Sequence, residues 1–301
     1  MIKLSDIQRE IVNSPSARII VDAGSGSGKT RVLTERVRRI LHDGVNPKSV
    51  VVITFTNMAA TELYDRLSDI PESKNCFIGT IHSYANKLLK KSGYEFEIFS
   101  EYYQTKFMTD LLSNKSTHYY ATLDDYMTFL KYDKLISSGR MSKPDLVSKF
   151  TDYKVYDELM CLLGRKKNPT YSETVITLCK QYNVITFDEL IELATQYFED
   201  SNTHLEYLFV DELQDIGYLE YNFLLGLNAD NYFVIGDDYQ SIFGFKGGDV
   251  NIFLSLMKSP DWKAYYLIEN YRTAKSILMY ANTIINNAND MATLFIVYKI
   301  W

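Results

Sequence analysis

Arg18-Ile-Ile-Val-Asp22, Ala23-Gly-Ser-Gly-Ser-Gly-Lys-Thr30 and the stretch from Thr30 to Leu41 follow one another without a gap, and their reading decides the fold. The first is a short apolar run that predicts a buried strand. The last has helical periodicity, with Val32, Leu33, Val37, Ile40 and Leu41 on one face. A strand, a glycine-rich turn and a helix start form the context of a phosphate-binding loop. Gly24, Gly26 and Gly28 let the backbone wrap closely around phosphate oxygens, with N–H groups and the helix dipole facing the anion. Lys29 is placed to reach the β- and γ-phosphates of a nucleoside triphosphate, and Thr30 to ligate magnesium. Ala23 stands where the usual pattern begins with glycine.

A second strand is predicted over Leu205-Glu-Tyr-Leu-Phe-Val210, with Asp211 at its carboxyl end. Ligand sites of open parallel sheets lie at that edge. Asp211 is expected to hold magnesium, directly or through water, and Glu212 to orient or deprotonate an attacking water. The Gln-Asp extension that ends at Asp215 is one that few nucleotide hydrolases carry. A third strand, Tyr232-Phe-Val-Ile235, leads into the glycine-flanked run from Gly236 to Gly248. Gln240 follows that strand end closely, and a neutral amide there can sense a γ-phosphate without opposing magnesium. Phe243 and Phe245 read either as core or as platforms for bases. Leu267-Ile-Glu-Asn-Tyr-Arg272 places an arginine after another short strand.

In this order the motifs resemble those of the UvrD/Rep/PcrA-type superfamily 1 DNA helicases, across nearly the whole chain. Leu4-x-x-x-Gln8 is similar to the family's Q motif, whose glutamine reads adenine. Ala23 to Thr30 is similar to motif I, Ile53 to Ala60 to motif Ia, and Gly79-Thr-Ile-His-Ser83 to the DNA-contacting motif after it. Asp211 to Asp215 is similar to motif II, Gly236 to Gly248 to motif III and Leu267 to Arg272 to motif IV. The resemblance implies an ATP hydrolase with Lys29, Asp211, Glu212, Gln240 and Arg272 as its catalytic set. It implies ATP contacts from Gln8, Ala23, Gly24, Ser25, Gly26, Ser27, Gly28, Lys29, Thr30, Arg31 and Tyr271. Tyr271 would stack on adenine, Arg272 would act as an arginine finger, and Gln240 would couple nucleotide to DNA. DNA contacts are implied for Thr54, Phe55, Thr56, Asn57, Thr80, His82, Phe245 and Lys246. Phe245 stands where the family usually has tryptophan and Lys246 where it has arginine, a smaller stacking face and the loss of a bidentate fork.

The implied fold is α/β, a P-loop RecA-like parallel sheet with an inserted, mostly helical domain. Helices are predicted at Thr122–Leu130, capped by Thr122 or Asp124, from Lys143, over Pro169–Tyr182 and over Phe187–Tyr197. No parallel-strand signature is visible between Tyr84 and Tyr182. The expected layout is a first RecA-like lobe over 1–83 and 183–261, the insert over 84–182, and the start of a second lobe over 262–301. A helix is expected from Thr273 to about Asn287. Too few residues follow Arg272 to complete that second lobe, so the chain reads as the amino-terminal half of such an enzyme.

The function implied is 3′–5′ ATP-dependent translocation on single-stranded DNA, or on DNA with a single-stranded tail, using Mg-ATP. The alternative is an ATP- and DNA-binding module that does not unwind. A second polypeptide supplying the missing lobe is a further candidate partner. The 301 residues are 46% hydrophobic and carry a net charge of −6, ordinary for a globular chain with a sizeable core. Lys87, Lys90, Lys91, Arg165, Lys166 and Lys167 are the candidates for phosphate contact despite the acidic balance, each equally a solvated face. No secretory signal or membrane-spanning run is read, and Cys76, Cys161 and Cys179 have no metal spacing, so a cytoplasmic setting is expected. His42, His118 and His204 have no partner spacing, and nuclease chemistry finds no support.

Overall fold

The computed structural model describes residues 4–114, 118–137, 140–150, 152–166, 169–200, 203–240 and 248–280. Cα packing divides the chain into two compact units, residues 1–93 with 191–301, and residues 94–190. The strands are β1 (Arg18–Ala23), β2 (Val50–Thr54), β3 (Phe77–Thr80), β4 (Glu97–Ile98), β5 (Val184–Ile185), β6 (Tyr207–Val210), β7 (Asn231–Gly236) and β8 (Lys263–Leu267). The helices are α1 (Asp6–Asn13), α2 (Lys29–His42), α3 (Asn57–Leu67), α4 (Ile81–Lys91), α5 (Glu101–Leu112), α6 (Leu123–Ser137), α7 (Lys143–Val147), α8 (Tyr153–Leu162), α9 (Pro169–Tyr182), α10 (Phe187–Asp200), α11 (Tyr218–Gly226) and α12 (Val250–Lys258).

The first unit is built on a six-stranded parallel sheet in the order β3-β2-β6-β7-β1-β8. Parallel strands covered on both faces read as apolar runs. β2 (Val-Val-Val-Ile-Thr) is buried at every position, and Ile19, Ile20 and Val21 of β1 are fully buried. Each such side chain contributes about 1.5–3 kcal/mol by leaving water. The chain leaves β1 for β2 on one side and later returns to place β7 and β8 on either side of β1. Loops following β1, β6, β7 and β8 therefore collect at one sheet edge. The register sets Asp22 beside Gly236, Ala23 beside Leu267 and Val210 beside Val234.

α1 and α2 are locked together by arginine. Arg36 is 4% exposed. Its guanidinium donates to the carbonyls of Ile11 (2.8 Å), Val12 (3.1 Å) and Ser14 (3.1 Å), and lies over the Phe233 ring at 5.4 Å. Those carbonyls lie at the end of α1, where the last turn lacks its full set of intrahelical donors; Ile11 O also receives Ser14 N at 3.3 Å. Burial lowers the Arg36 pKa to about 10, so it remains charged at neutral pH. Arg39 adds a bond to Val12 O at 2.8 Å.

The second unit has its own core, in which Phe107, Met108, Tyr126, Phe129, Leu159 and Leu162 are 1% exposed or less. α6 starts as expected, with the Thr122 hydroxyl accepting from Asp125 N and Asp125 Oδ2 accepting from Thr122 N. α7 and α9 occupy the predicted places. This unit also holds a parallel pair, β4 with β5, two residues each, too short to show alternation in sequence.

Three boundaries differ from the expected layout. The insert begins after α4 rather than at 84, because α4 buries Ile81, Tyr84, Ala85, Leu88 and Leu89, with Tyr84 packed on Phe77 at 4.7 Å. It ends within α10, whose first turn is capped by Thr186 and Glu189 of the insert. Residues 263–267 are not the opening of a separate lobe: β8 is hydrogen-bonded to β1 as an edge strand of the same sheet. Beyond it a helical turn begins at Lys275, and the expected helix past Tyr280 lies outside the described residues.

Removing the arginine lock is expected to be costly. Arg36→Met keeps the buried stem but removes a charged donor from three carbonyls, of which Ile11 O keeps Ser14 N and Val12 O keeps Arg39, and should lower unfolding free energy by about 2–4 kcal/mol. Denaturant melts of the two proteins measure it.

Candidate functional site

The glycine loop leaves β1 and enters α2 through two left-handed residues, Gly26 (φ +73°) and Gly28 (φ +91°). Gly28 is the N-cap of α2 and provides no side-chain cap, so the first N–H groups of α2 remain for an anion. A Cβ at Gly26 would lie 2.8 Å from Cβ of Arg272, and one at Gly28 2.8 Å from Nε2 of Gln8. Neighbours thus press on the loop where only glycine gives room.

Three consecutive loop carbonyls are taken by groups outside the loop. Asn270 Nδ2 donates to Ser25 O, Tyr271 N to Gly26 O (2.8 Å), and Gln8 Nε2 to Ser27 O (3.1 Å). Gln8 also closes a capping box at the start of α1: Ser5 N donates to its Oε1 at 3.1 Å, and its own N donates to Ser5 Oγ at 3.3 Å. Asn270 Oδ1 in turn accepts from the backbone N–H groups of Arg272 (2.9 Å) and Thr273 (2.7 Å). Gln8 is 3% exposed, whereas Tyr271 and Arg272 are exposed.

Asp211 continues β6, its N–H donating to Ile53 O at 2.9 Å, and its Oδ1 accepts from Glu212 N at 3.0 Å. Glu212 adopts a left-handed backbone (φ 54°, ψ 45°), which costs a non-glycine residue about 1–2 kcal/mol. Its Oε2 receives Lys29 Nζ at 3.0 Å and Gln214 Nε2 at 2.9 Å. Gln214 Oε1 accepts from Asp237 N at 3.0 Å, and Asp237 Oδ2 accepts from the Gln240 side-chain amide. Lys29, Glu212 and Gln240 are thereby brought into one hydrogen-bonded chain, with Asp211 attached through Glu212.

The floor of the site is acidic and largely buried. Asp22, Asp237 and Asp238 bring carboxylate oxygens within 4.8 Å of one another. Burial, then Asp238 and Asp237, push the Asp22 pKa up to about 8. Burial and then Glu212 raise Asp211 to about 7 and Asp215 to about 6, and burial raises Asp237 and Asp238. The Lys29 ammonium opposes the shifts at Asp22, Asp211, Asp215 and Asp237. Hard oxygen donors suit a small divalent cation. Thr30 stands at the start of α2, Asp211 directly follows β6, and the Asp215 Oδ1 atom is buried without a partner, three oxygen donors of the kind magnesium takes.

The residues expected at DNA fall into three groups. Thr56 and Asn57 are exposed and Phe55, Thr80 and His82 are half-buried. The Thr56 hydroxyl accepts from Ala59 N (3.1 Å) and Thr80 Oγ1 from Ser83 N (3.3 Å), so both threonines cap helices, α3 and α4, at the same sheet edge. Thr54 departs from the expectation: at 1% exposure its side chain lies beneath any surface a strand could touch. Phe245 and Lys246 lie outside the described residues. Sequence reasoning gave no role to Asp22, Gln214, Asp237 or Asn270. A carboxylate ending the otherwise apolar β1 was the available signal for Asp22. Nothing in the spacing marks Asn270, whose work is done through backbone contacts.

The family model described as the UvrD/REP helicase N-terminal domain matches residues 4–261. The ATP-dependent DNA helicase PcrA of Staphylococcus aureus (strain Mu50 / ATCC 700699) is 29% identical over 301 residues, covering 94% of this chain and 40% of PcrA. PcrA of Leuconostoc citreum is 29% identical, covering 95% and 39%. The chain thus spans about 40% of the length of the curated relatives it matches. A crystal structure of Pif1 helicase from Candida albicans aligns with 94% of this chain and 44% of its own, with a TM-score of 0.39 and 12% identity.

The raised carboxylates set a pH dependence. A carboxyl whose folded pKa lies above its unfolded value contributes stability that is present below the unfolded pKa and is lost as pH rises through the folded one. For Asp22 that window runs from about 4 to about 8. Asp22→Asn should be more stable than the parent at pH 9 by about 1–3 kcal/mol, with a smaller difference at pH 5. Thermal melts across pH 5–9 check the sign.

Proposed function

The chain belongs to the UvrD/REP helicase family through its N-terminal domain, and on that premise we propose that it binds Mg-ATP and couples ATP hydrolysis to movement along single-stranded DNA. The observation that carries this reading is the Lys29–Glu212 contact at 3.0 Å, because it joins the phosphate loop to the acidic strand end. Lys29 sits at the mouth of α2, where a triphosphate would receive backbone N–H groups and the helix dipole. Glu212 is the group to orient or deprotonate an attacking water, and Gln240 follows the strand next to it. Asp22, Asp211, Glu212, Asp215 and Asp237 all interact with the ammonium of Lys29, and Asp238 adjoins Asp22 and Asp237. A triphosphate approaching them needs a cation between, which favours Mg-ATP over free ATP. Magnesium held by Thr30 and Asp211 supplies charge neutralisation for phosphoryl transfer.

Gln8, Tyr271 and Arg272 flank the loop on the sides where a nucleoside and a γ-phosphate would extend. Tyr271, 59% exposed, offers a free ring face for adenine. The N-termini of α3 and α4, at the carboxyl ends of β2 and β3, present donors suited to a phosphate backbone. Phe245 and Lys246, in the stretch of sequence after β7, are the proposed base platform and phosphate contact. Direction of movement, 3′ to 5′, is proposed from family resemblance. Among the described residues no helix is long and apolar enough to cross a membrane.

Lys29→Ala should abolish Mg-ATP binding, a loss of several kcal/mol when a charge-assisted contact disappears. Glu212→Gln should retain binding and suppress hydrolysis. Calorimetric titration with a non-hydrolysable analogue, beside phosphate release with and without single-stranded DNA, separates the two. Equal turnover by parent and Glu212→Gln would remove Glu212 from the chemistry. Phe245→Ala should weaken single-strand binding by about 1–3 kcal/mol with an unchanged melting temperature. A fall in melting temperature would show the ring to be core instead.

A further inference from the structure

We propose that Gln214 is a positioning residue for Glu212, and that its side chain makes the Glu212 carboxylate and the Gln240 amide parts of one rigid assembly. The inference rests on the ATP-hydrolase reading above and deepens it. Gln214 is 1% exposed, so its amide must be satisfied by protein groups. Its two ends face opposite ways. Nε2 donates to Glu212 Oε2 at 2.9 Å and, more weakly, to Asp215 Oδ2 at 3.4 Å. Oε1 accepts from Asp237 N at 3.0 Å. The amide therefore spans from the end of β6 to the end of β7.

The surrounding backbone is shaped to keep it there. A Cβ at Gly236 would come within 2.5 Å of Gln214 Oε1 and 3.0 Å of the Phe253 ring. The bare glycine backbone lets the amide lie flat on β7. Beyond Asp237 N, the Asp237 carboxylate holds Tyr239 N at 3.2 Å and the Gln240 amide. Displacing Gln240 therefore pulls, through Asp237 and Gln214, on the oxygen that Lys29 also holds. A buried amide used in this way needs both of its ends: a donor toward Glu212 and an acceptor toward β7.

That asymmetry supplies the test. Gln214→Glu preserves shape and the acceptor for Asp237 N, but turns a donor facing Glu212 into a second carboxylate oxygen. Gln214→Met preserves bulk and removes both ends. Single-turnover hydrolysis of Mg-ATP, with the chain in excess over nucleotide, should fall at least tenfold in Gln214→Glu at pH 8. Affinity for a non-hydrolysable ATP analogue should stay within threefold. The Gln214→Glu rate, relative to the parent, should climb as pH falls, because the introduced carboxyl can donate only when protonated. Gln214→Met should be slow at every pH. A purely structural role predicts parallel loss of melting temperature, binding and rate in both variants, with no pH-dependent recovery, and that pattern overturns the proposal. If the parent shows no Lys29-dependent hydrolysis, the ATP-hydrolase reading fails. The hydrogen bond is then judged without nucleotide: the Gln214 side-chain amide resonance should shift in Glu212→Gln, and an unmoved signal overturns the positioning role.

Discussion

An anion-binding loop must keep its N–H groups unspent, so it cannot be held by secondary structure of its own. The rest of the first unit depends on how that constraint is met. The carbonyls of Ser25, Gly26 and Ser27 are taken from outside by Asn270, Tyr271 and Gln8. Gln8 is available because α1 is fixed to α2 through Arg36 and Arg39, and Asn270 because β8 joins β1. The sheet order, the arginine lock and the glycine conformations all serve to hold the loop from outside, with Ser27 N to Gly24 O at 3.2 Å as a bond of its own.

The same edge concentrates negative charge. Burial and mutual repulsion raise the carboxyls crowded there, Asp22 foremost, and so favour their neutral forms. Lys29 is the hub of this balance, ion-paired with Glu212 and acting on four aspartates at longer range. The formal sum of the chain, −6, counts all of these site carboxyls as charged. It says little about the surfaces offered by α3 and α4.

Much of this was legible in sequence because the decisive elements are local. β1, the glycine loop and α2 are contiguous, and apolar runs such as Tyr232–Ile235 mark strands buried on both faces. The order of motifs carried the family. What escaped was whatever depends on partners distant in the chain. The edge strand β8 carries an alternating pattern, exposed at Lys263 and Tyr266 and buried at Tyr265 and Leu267, and only pairing with β1 assigns it to this sheet. Thr54 belongs to a motif yet ends a fully buried strand. Gln214 and Asn270 act through backbone atoms of segments far away, and no spacing rule registers such contacts.

The hold of Asn270 on Ser25 spans 245 residues. β1 has β7 and β8 as its neighbours, both more than 200 residues later in the chain. During synthesis at roughly 5–20 residues per second, the nascent chain carries its glycine loop without those neighbours for tens of seconds. The three outside holds on the loop are therefore complete only after Tyr271 has emerged, and until β7 and β8 pair with β1 its residues Ile19, Ile20 and Val21 are surfaces for a chaperone to shield.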